Sequence, residues 1–283
     1  MKVQTIDYRS AGAGAQLVQS LRDTGFAVLS HHPLSGALLQ RLYRRWARFF
    51  DSGDKQSYLM RPTRHSDNSV GFVPAEVSET AVGHAARDLK EFYHVFPDEM
   101  LPPALAPDTL DYLEHAFALG VEILDWLQAN APGEVLARLP DRLSTLLSKE
   151  VSLLRVLHYP PLAGGAETGG AVRAAAHEDI NLLTLLPVAE QPGLQVLDRE
   201  GNWLDVNGNP GELIINAGDM LSEATGGYFP STTHRVINPA AATDNVSRYA
   251  IPYFMAPRLD TALSDRYTAG SYLSERLQAL NRQ

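Results

Sequence analysis

The chain has 283 residues, 45% of them hydrophobic, a formal net charge of -9 and no cysteine. Without cysteine there are no disulfides, thiolate metal sites, iron–sulfur clusters or cysteine nucleophiles, so a bound metal must rest on histidine, carboxylate or water. The acidic balance disfavours nucleic acid as a partner, the apolar runs are too short to span a membrane, and Met1 to Ser10 has no leader-like pattern, so the expected setting is cytoplasmic.

Along the chain, Phe26 to Ser30 is a short β-prone run. Ser35 is placed to cap a helix whose Leu38, Leu42, Trp46 and Phe49 share one face. The same helix carries Arg41, Arg44, Arg45 and Arg48, read as a solvated outer face rather than a basic docking surface. A second helix is expected to start at Asp108, with Leu113, Phe117, Leu124 and Leu127 facing inward, and to stop at the Asn130-Ala131-Pro132-Gly133 break. From Val151 the texture changes to short β-prone runs separated by Gly, Pro, Asn and Asp. Strands are expected at Leu153–Tyr159, Ile180–Leu186, Leu194–Leu197, Trp203–Val206, Glu212–Asn216, Met220–Glu223, Thr233–Ile237 and Arg248–Met255. That spacing suggests a two-sheet jelly roll or barrel. Ser271 to Leu280 reads as a closing helix with Leu273, Leu277 and Leu280 turned inward. The fold class is therefore mainly β with flanking helices: an N-terminal helical and strand region over 1–150, a jelly-roll core over 151–256 and a helical tail over 257–283, all one domain.

The segment Ala176-His177-Glu178-Asp179-Ile180, if extended, turns His177 and Asp179 to one face and Glu178 to the other. A third donor, His234 in Ser231 to Val236, comes later and can return beside the pair in a jelly roll. Two imidazoles and one carboxylate on one side of an ion leave positions open, which suits Fe(II) that must also bind a co-substrate and O2. Zinc accepts the same donors. Arg248 opens the last predicted strand, and its fork matches a carboxylate. It pairs with an anionic ligand, lies on the surface, or forms an internal ion pair with Asp219. Arg173, four residues before His177, meets an acidic substrate or is solvated in a loop. Phe254 and Tyr228 either line an apolar wall or simply pack.

Many blocks, in order, resemble the isopenicillin N synthase-like branch of the Fe(II)/2-oxoglutarate-dependent oxygenases. They are Thr5-Ile6-Asp7, Gly25-Phe26-Ala27-Val28 with His31-His32, Phe49-Phe50 with Lys55, Gly71-Phe72-Val73-Pro74 and Asp88-Leu89-Lys90-Glu91. In the second half they are Arg155 to Pro160, His177-Glu178-Asp179 with Leu183-Thr184, Gly193-Leu194-Gln195-Val196 with Trp203 and Val206, Asn216-Ala217-Gly218-Asp219, and Thr225-Gly226-Gly227 with Ser231 to Val236. The resemblance implies a double-stranded β-helix with iron held by His177, Asp179 and His234. It implies that Arg248 binds the distal carboxylate of 2-oxoglutarate and that Tyr159 contacts the same co-substrate. The implied cofactors are Fe(II), 2-oxoglutarate and O2, with ascorbate in support. The implied reaction is hydroxylation or desaturation of a small molecule with release of succinate and CO2. Asp179 argues against halogenation, for which relatives carry a small residue there. The remaining histidines, His31, His32, His65, His84, His94 and His115, are assigned to surface or packing. Two departures stand out: Ala250 replaces the serine of the family's Arg-x-Ser, and Leu157 replaces an asparagine. They keep open an alternative, an oxidase of the isopenicillin N synthase type that uses O2 without a 2-oxoacid.

Overall fold

The computed structural model describes residues 2–63, 69–77, 88–162, 172–238 and 245–281. The chain begins with β1 (Thr5–Asp7), α1 (Ala13–Thr24), β2 (Phe26–Ser30) and α2 (Gly36–Asp51). Ser35 caps α2 as expected, its side chain accepting from the Leu38 N–H. Leu38, Leu42, Trp46 and Phe49 are buried. After β3 (Arg61–Pro62), β4 (Ser69–Val73) and β5 (Glu91–Val95) comes the long α3 (Ala106–Asn130).

Asp108 lies inside α3 rather than starting it. Its carboxylate meets Arg41 Nε at 3.1 Å and Arg45 Nε at 2.8 Å. Two of the four arginines expected on a solvated face therefore tie α2 to α3, while Arg44 and Arg48 remain exposed.

The second half contains α4 (Gly133–Leu136), α5 (Leu143–Leu146), β6 (Leu153–Tyr159), β7 (Ala174–His177), β8 (Leu183–Pro187), β9 (Leu194–Leu197), β10 (Trp203–Asp205) and β11 (Leu213–Ala217). Then follow α6 (Asp219–Ala224), β12 (His234–Val236), β13 (Arg248–Ala250), β14 (Tyr253–Met255) and α7 (Ala269–Asn281). Three expectations change. The run Met220–Glu223 is helix, burying Met220, Leu221 and Ala224 at helical spacing; so short an apolar run has no decisive period. The strand expected from Ile180 starts at Leu183, because the preceding backbone is used elsewhere. The Asn181 carbonyl accepts from Met220 N–H at 3.1 Å and the Leu182 carbonyl from Gly218 N–H at 3.1 Å. The long strand expected over Arg248–Met255 is broken at Ile251-Pro252, where proline has no N–H for the ladder. Among the described side chains of α7, Ala269 and Tyr272 are buried and the expected Leu273 and Leu277 are only half-buried, while the Leu280 side chain lies outside the described residues.

Among the described residues, ten strands make one sheet in the order β1-β2-β11-β8-β14-β6-β5-β4-β3, with β13 also paired to β6. A second sheet runs β10-β9-β12-β7. This is the jelly-roll core with flanking helices. The N-terminal strands extend the larger sheet at both ends. One apolar cluster, including Phe26, Phe92, Leu157, Ala174, Val196 and Val236, draws on strands of both sheets. A larger one packs α1, α2 and α3 against the larger sheet through Trp46, Tyr112, Leu124, Leu185 and Met255. Strands covered on both faces read as near-continuous apolar runs, as Leu213–Ala217 does apart from Asn216. No helix among the described residues is long and apolar enough to cross a membrane.

Candidate active site

His177 closes β7 and His234 opens β12, and the two are direct cross-strand partners in the smaller sheet. Their rings sit 4.4 Å apart, centroid to centroid. Asp179 lies two residues beyond the end of β7. Its Oδ1 is 3.8 Å from His177 Nε2 and 3.7 Å from His234 Nε2. One ligand atom from each of the three residues falls within 4.8 Å of the others.

The outer atom of each donor is occupied. His177 Nδ1 lies 2.8 Å from the Ala175 carbonyl, and His234 Nδ1 lies 3.0 Å from the Thr232 carbonyl. A carbonyl only accepts, so each Nδ1 carries the hydrogen and each Nε2 keeps a lone pair. Asp179 Oδ2 accepts from Thr184 Oγ1 at 2.7 Å and from Asn216 Nδ2 at 2.8 Å, which leaves Oδ1 toward the imidazoles. Asn181 in turn donates to Thr184 Oγ1 at 2.8 Å. Such outer contacts fix ligand orientation in metal sites.

Desolvation, followed by the neighbouring His234, pushes the His177 imidazole down to about 4. Burial would raise the Asp179 carboxyl, but His234, His177 and the Asn216 and Thr184 hydrogen bonds hold it below its usual range. Neutral imidazole beside an ionised carboxylate is the protonation state a divalent metal requires. The donor set, its orientation and its charge all fit Fe(II).

Local sequence explains the placement. Gly25 has φ 71°, and a Cβ there would strike Thr232 Oγ1 and the Pro230 carbonyl. Only glycine lets the end of α1 lie against the segment leading into His234. Thr232 Oγ1 also donates to the Thr24 carbonyl at 2.9 Å. A Cβ at Gly218 would collide with Asn181, so the turn into α6 can press on the Asp179 loop only as glycine.

Arg248 is the cross-strand partner of Tyr159, and Ala250 that of Leu157. The two departures from the family pattern thus face one another on the same side of the sheet as Arg248 and Tyr159. Arg248 is 3% exposed, with its guanidinium 5.3 Å from the Tyr159 ring. Its Nε donates to the Gln191 carbonyl at 3.2 Å, while Nη1 has no hydrogen-bond partner among the described residues. The alternative ion pair with Asp219 does not form: Asp219 faces Arg276 at 3.4 Å. Arg173 is not solvated either, being 2% exposed. Tyr228 packs into the helix-side core, and Phe254 is half-buried beside the Arg155 guanidinium, 5.8 Å away.

The other histidines stay outside the triad. His31 and His115 pair with Asp7 and Asp111 near the surface, His32 is buried, and His94 accepts from Arg155 Nε at 2.8 Å. His65 and His84 lie outside the described residues. Sequence reasoning gave no role to Thr184 or Asn216, although a polar side chain inside the apolar run Leu213–Ala217 was a signal. It also missed a buried chain in which Lys55 Nζ meets Glu91 at 3.0 Å and Glu91 meets His158 Nδ1 at 2.8 Å.

Residues 150–257 match the profile of the 2OG-Fe(II) oxygenase superfamily, and residues 4–111 that of the non-haem dioxygenase in morphine synthesis N-terminal region. A 2-oxoglutarate-Fe(II) type oxidoreductase from Aspergillus fumigatus is 32% identical over 274 residues, covering 88% of this chain and 78% of that one. A crystal structure described as an oxygenase from Shewanella oneidensis is 46% identical, with a TM-score of 0.88 and 100% of both chains covered. A full-length Neurospora crassa protein, crystallised in complex with alpha-KG, shares the fold at a TM-score of 0.78 and 22% identity, over 97% of this chain and 95% of that one.

Proposed function

The chain belongs to the 2OG-Fe(II) oxygenase superfamily, and from that membership we propose that it hydroxylates or desaturates a small molecule, with iron held by His177, Asp179 and His234. It is a 2-oxoglutarate-dependent oxygenase, with Fe(II), 2-oxoglutarate and O2 as its cofactors. The observation that carries the residue assignment is the convergence of two imidazole Nε2 atoms and one carboxylate Oδ1 within 4.8 Å, every outer atom being already bonded to protein.

When bound, iron with 2-oxoglutarate activates O2 for attack on a C–H bond, while 2-oxoglutarate becomes succinate and CO2. The chain's own residues prepare that chemistry. Thr184 and Asn216 hold Asp179 in one rotamer and ionised. The Ala175 and Thr232 carbonyls fix both imidazole tautomers. Arg248 offers an unpaired donor, Nη1, in a buried position, where a carboxylate binds far more strongly than in water. The sheet-to-sheet apolar cluster around it limits the access of bulk water.

The rival oxidase reading rests on Ala250 and Leu157, which remove polar contacts. Against it stands Arg248, buried with no carboxylate partner among the described residues, an arrangement that makes sense with an anionic co-substrate. The test is anaerobic reconstitution with Fe(II), then incubation with O2, ascorbate and 2-oxoglutarate. Iron-dependent formation of succinate is expected. Iron uptake without any conversion of 2-oxoglutarate would overturn the reading.

A further inference from the structure

Arg173 is a buried cation that the metal centre does not use. It immediately precedes β7, at the end of that strand remote from His177, and it is 2% exposed. Its Nη2 donates to the Val246 carbonyl at 2.7 Å, two residues before Arg248. Its Nε has no hydrogen-bond partner, and no carboxylate pairs with it among the described residues. Burial depresses its pKa, and the next cause is the Arg248 charge, with Tyr159 acting the other way. Arg248 is likewise lowered by burial, with Tyr159 as its first charge partner. Arg248 lies over Tyr159, and Arg173 is anchored on the backbone two residues before Arg248; no carboxylate pairs with either guanidinium among the described residues, the nearby Asp88 being engaged by Lys90 and the Ala175 N–H. Burying one unpaired cation is costly, and a second one anchored two residues away along the same backbone adds repulsion. A bound anion relieves both penalties.

Ala250 adds the second observation. It sits on the Arg248 face of β13, opposite Leu157, in the position where the family's pattern has a hydroxyl. The chain lacks a donor at this place, and Arg173 holds an unpaired one against the backbone that leads into β13.

We infer that Arg173 and Arg248 clamp one carboxylate between them, the distal carboxylate of 2-oxoglutarate, with Arg173 supplying the hydrogen bond that Ala250 cannot. The inference rests on the functional reading above. It makes Arg173 a co-substrate-binding residue of this chain, and it explains how a 2-oxoacid site tolerates an apolar Ala250–Leu157 pair. The far end of β7 is where such a group belongs. The keto acid end would lie at His177 and Asp179; four residues at about 3.3 Å each set the Arg173 backbone about 13 Å from His177, and the long arginine side chain must cover the part of that span that a five-carbon diacid does not.

The test is calorimetric binding to the full chain loaded anaerobically with Mn(II), comparing 2-oxoglutarate with 2-oxopentanoate, which has the same carbon count and no distal carboxylate. Wild-type protein should prefer 2-oxoglutarate strongly. Arg173→Gln should weaken 2-oxoglutarate about tenfold to a hundredfold, the scale of one charge-assisted hydrogen bond, and leave 2-oxopentanoate unchanged. Arg173→Lys, which keeps charge but loses the fork, should fall between the two, and it decides alone if the glutamine variant does not fold. Ala250→Ser should recover more affinity in the Arg173→Gln background than in the wild type. Variants at 173 that bind 2-oxoglutarate as wild type does, or that lose both ligands equally, would overturn the clamp and leave the functional reading standing. A wild-type protein that binds neither 2-oxoacid would overturn that reading, and the clamp with it.

Discussion

His177 and His234, distant along the chain, are opposite each other in one antiparallel ladder, with rings 4.4 Å apart. The pairing of β7 with β12 therefore sets the spacing of two donors before any metal arrives. Replacing either imidazole removes one donor without disturbing the larger sheet. His177→Ala and His234→Ala should each cut iron content after anaerobic reconstitution from near one per chain to near zero, with little change in far-UV circular dichroism. Retained iron in either variant would remove that residue from the ligand set.

The Thr184 and Asn216 contacts predict a graded effect. Thr184→Val keeps the shape and removes the 2.7 Å hydrogen bond to Asp179 Oδ2. Loss of such an outer contact typically costs about 10- to 100-fold in metal affinity. Titration with Mn(II), followed by electron paramagnetic resonance, should give a weakening in that range. Asn216→Ala should do the same, and the double variant should be worse than either.

Arg248 should act on the co-substrate and not on the metal. Arg248→Lys keeps a charge but cannot present a planar fork. The 2-oxoglutarate concentration for half-maximal turnover should rise about tenfold or more, while Mn(II) affinity stays within twofold. Equal losses in both would point to a structural role.

Glu91 gives a pH prediction away from the metal. Burial pushes its carboxyl up, but the hydrogen bonds and charges of His158 and Lys55 outweigh burial, and the net shift is downward from 4.5. A lowered folded pKa means that this group's stabilisation is fully present above pH 4.5 and is lost as pH falls through the folded value. Glu91→Gln should therefore lower the melting temperature at pH 7 by several degrees, on the basis of about 1–3 kcal/mol for a charged hydrogen bond. The gap from wild type should shrink below pH 4.5. A gap that is constant with pH would assign the loss to packing.

Much of this was legible from residues alone. The strands at Leu153–Tyr159 and Leu194–Leu197 carry β-branched and leucine-rich runs bounded by turn residues, and they appear with the expected limits. The triad residues could be named because His-x-Asp and a later histidine are separated by strand-forming sequence. β7 was invisible because Ala174-Ala175-Ala176 has neither alternation nor β-branching, and only its pairing with β12 makes it a strand. Met220 to Glu223 is too short to express a period, so residues alone do not separate helix from strand at α6. Arg173 was beyond sequence reasoning: nothing local separates a loop arginine from a buried one, since its burial is decided by the opposing sheet.

Thr232 joins the two halves of the chain at one residue. Its hydroxyl holds the Thr24 carbonyl at the end of α1, and its own carbonyl holds the His234 imidazole. The end of α1 is thus tied through one residue to a proposed metal donor. A chimaera that grafts a relative's opening segment onto this jelly roll should loosen iron before it alters substrate choice, so the amino-terminal stretch acts as part of the proposed iron site and not as an exchangeable module.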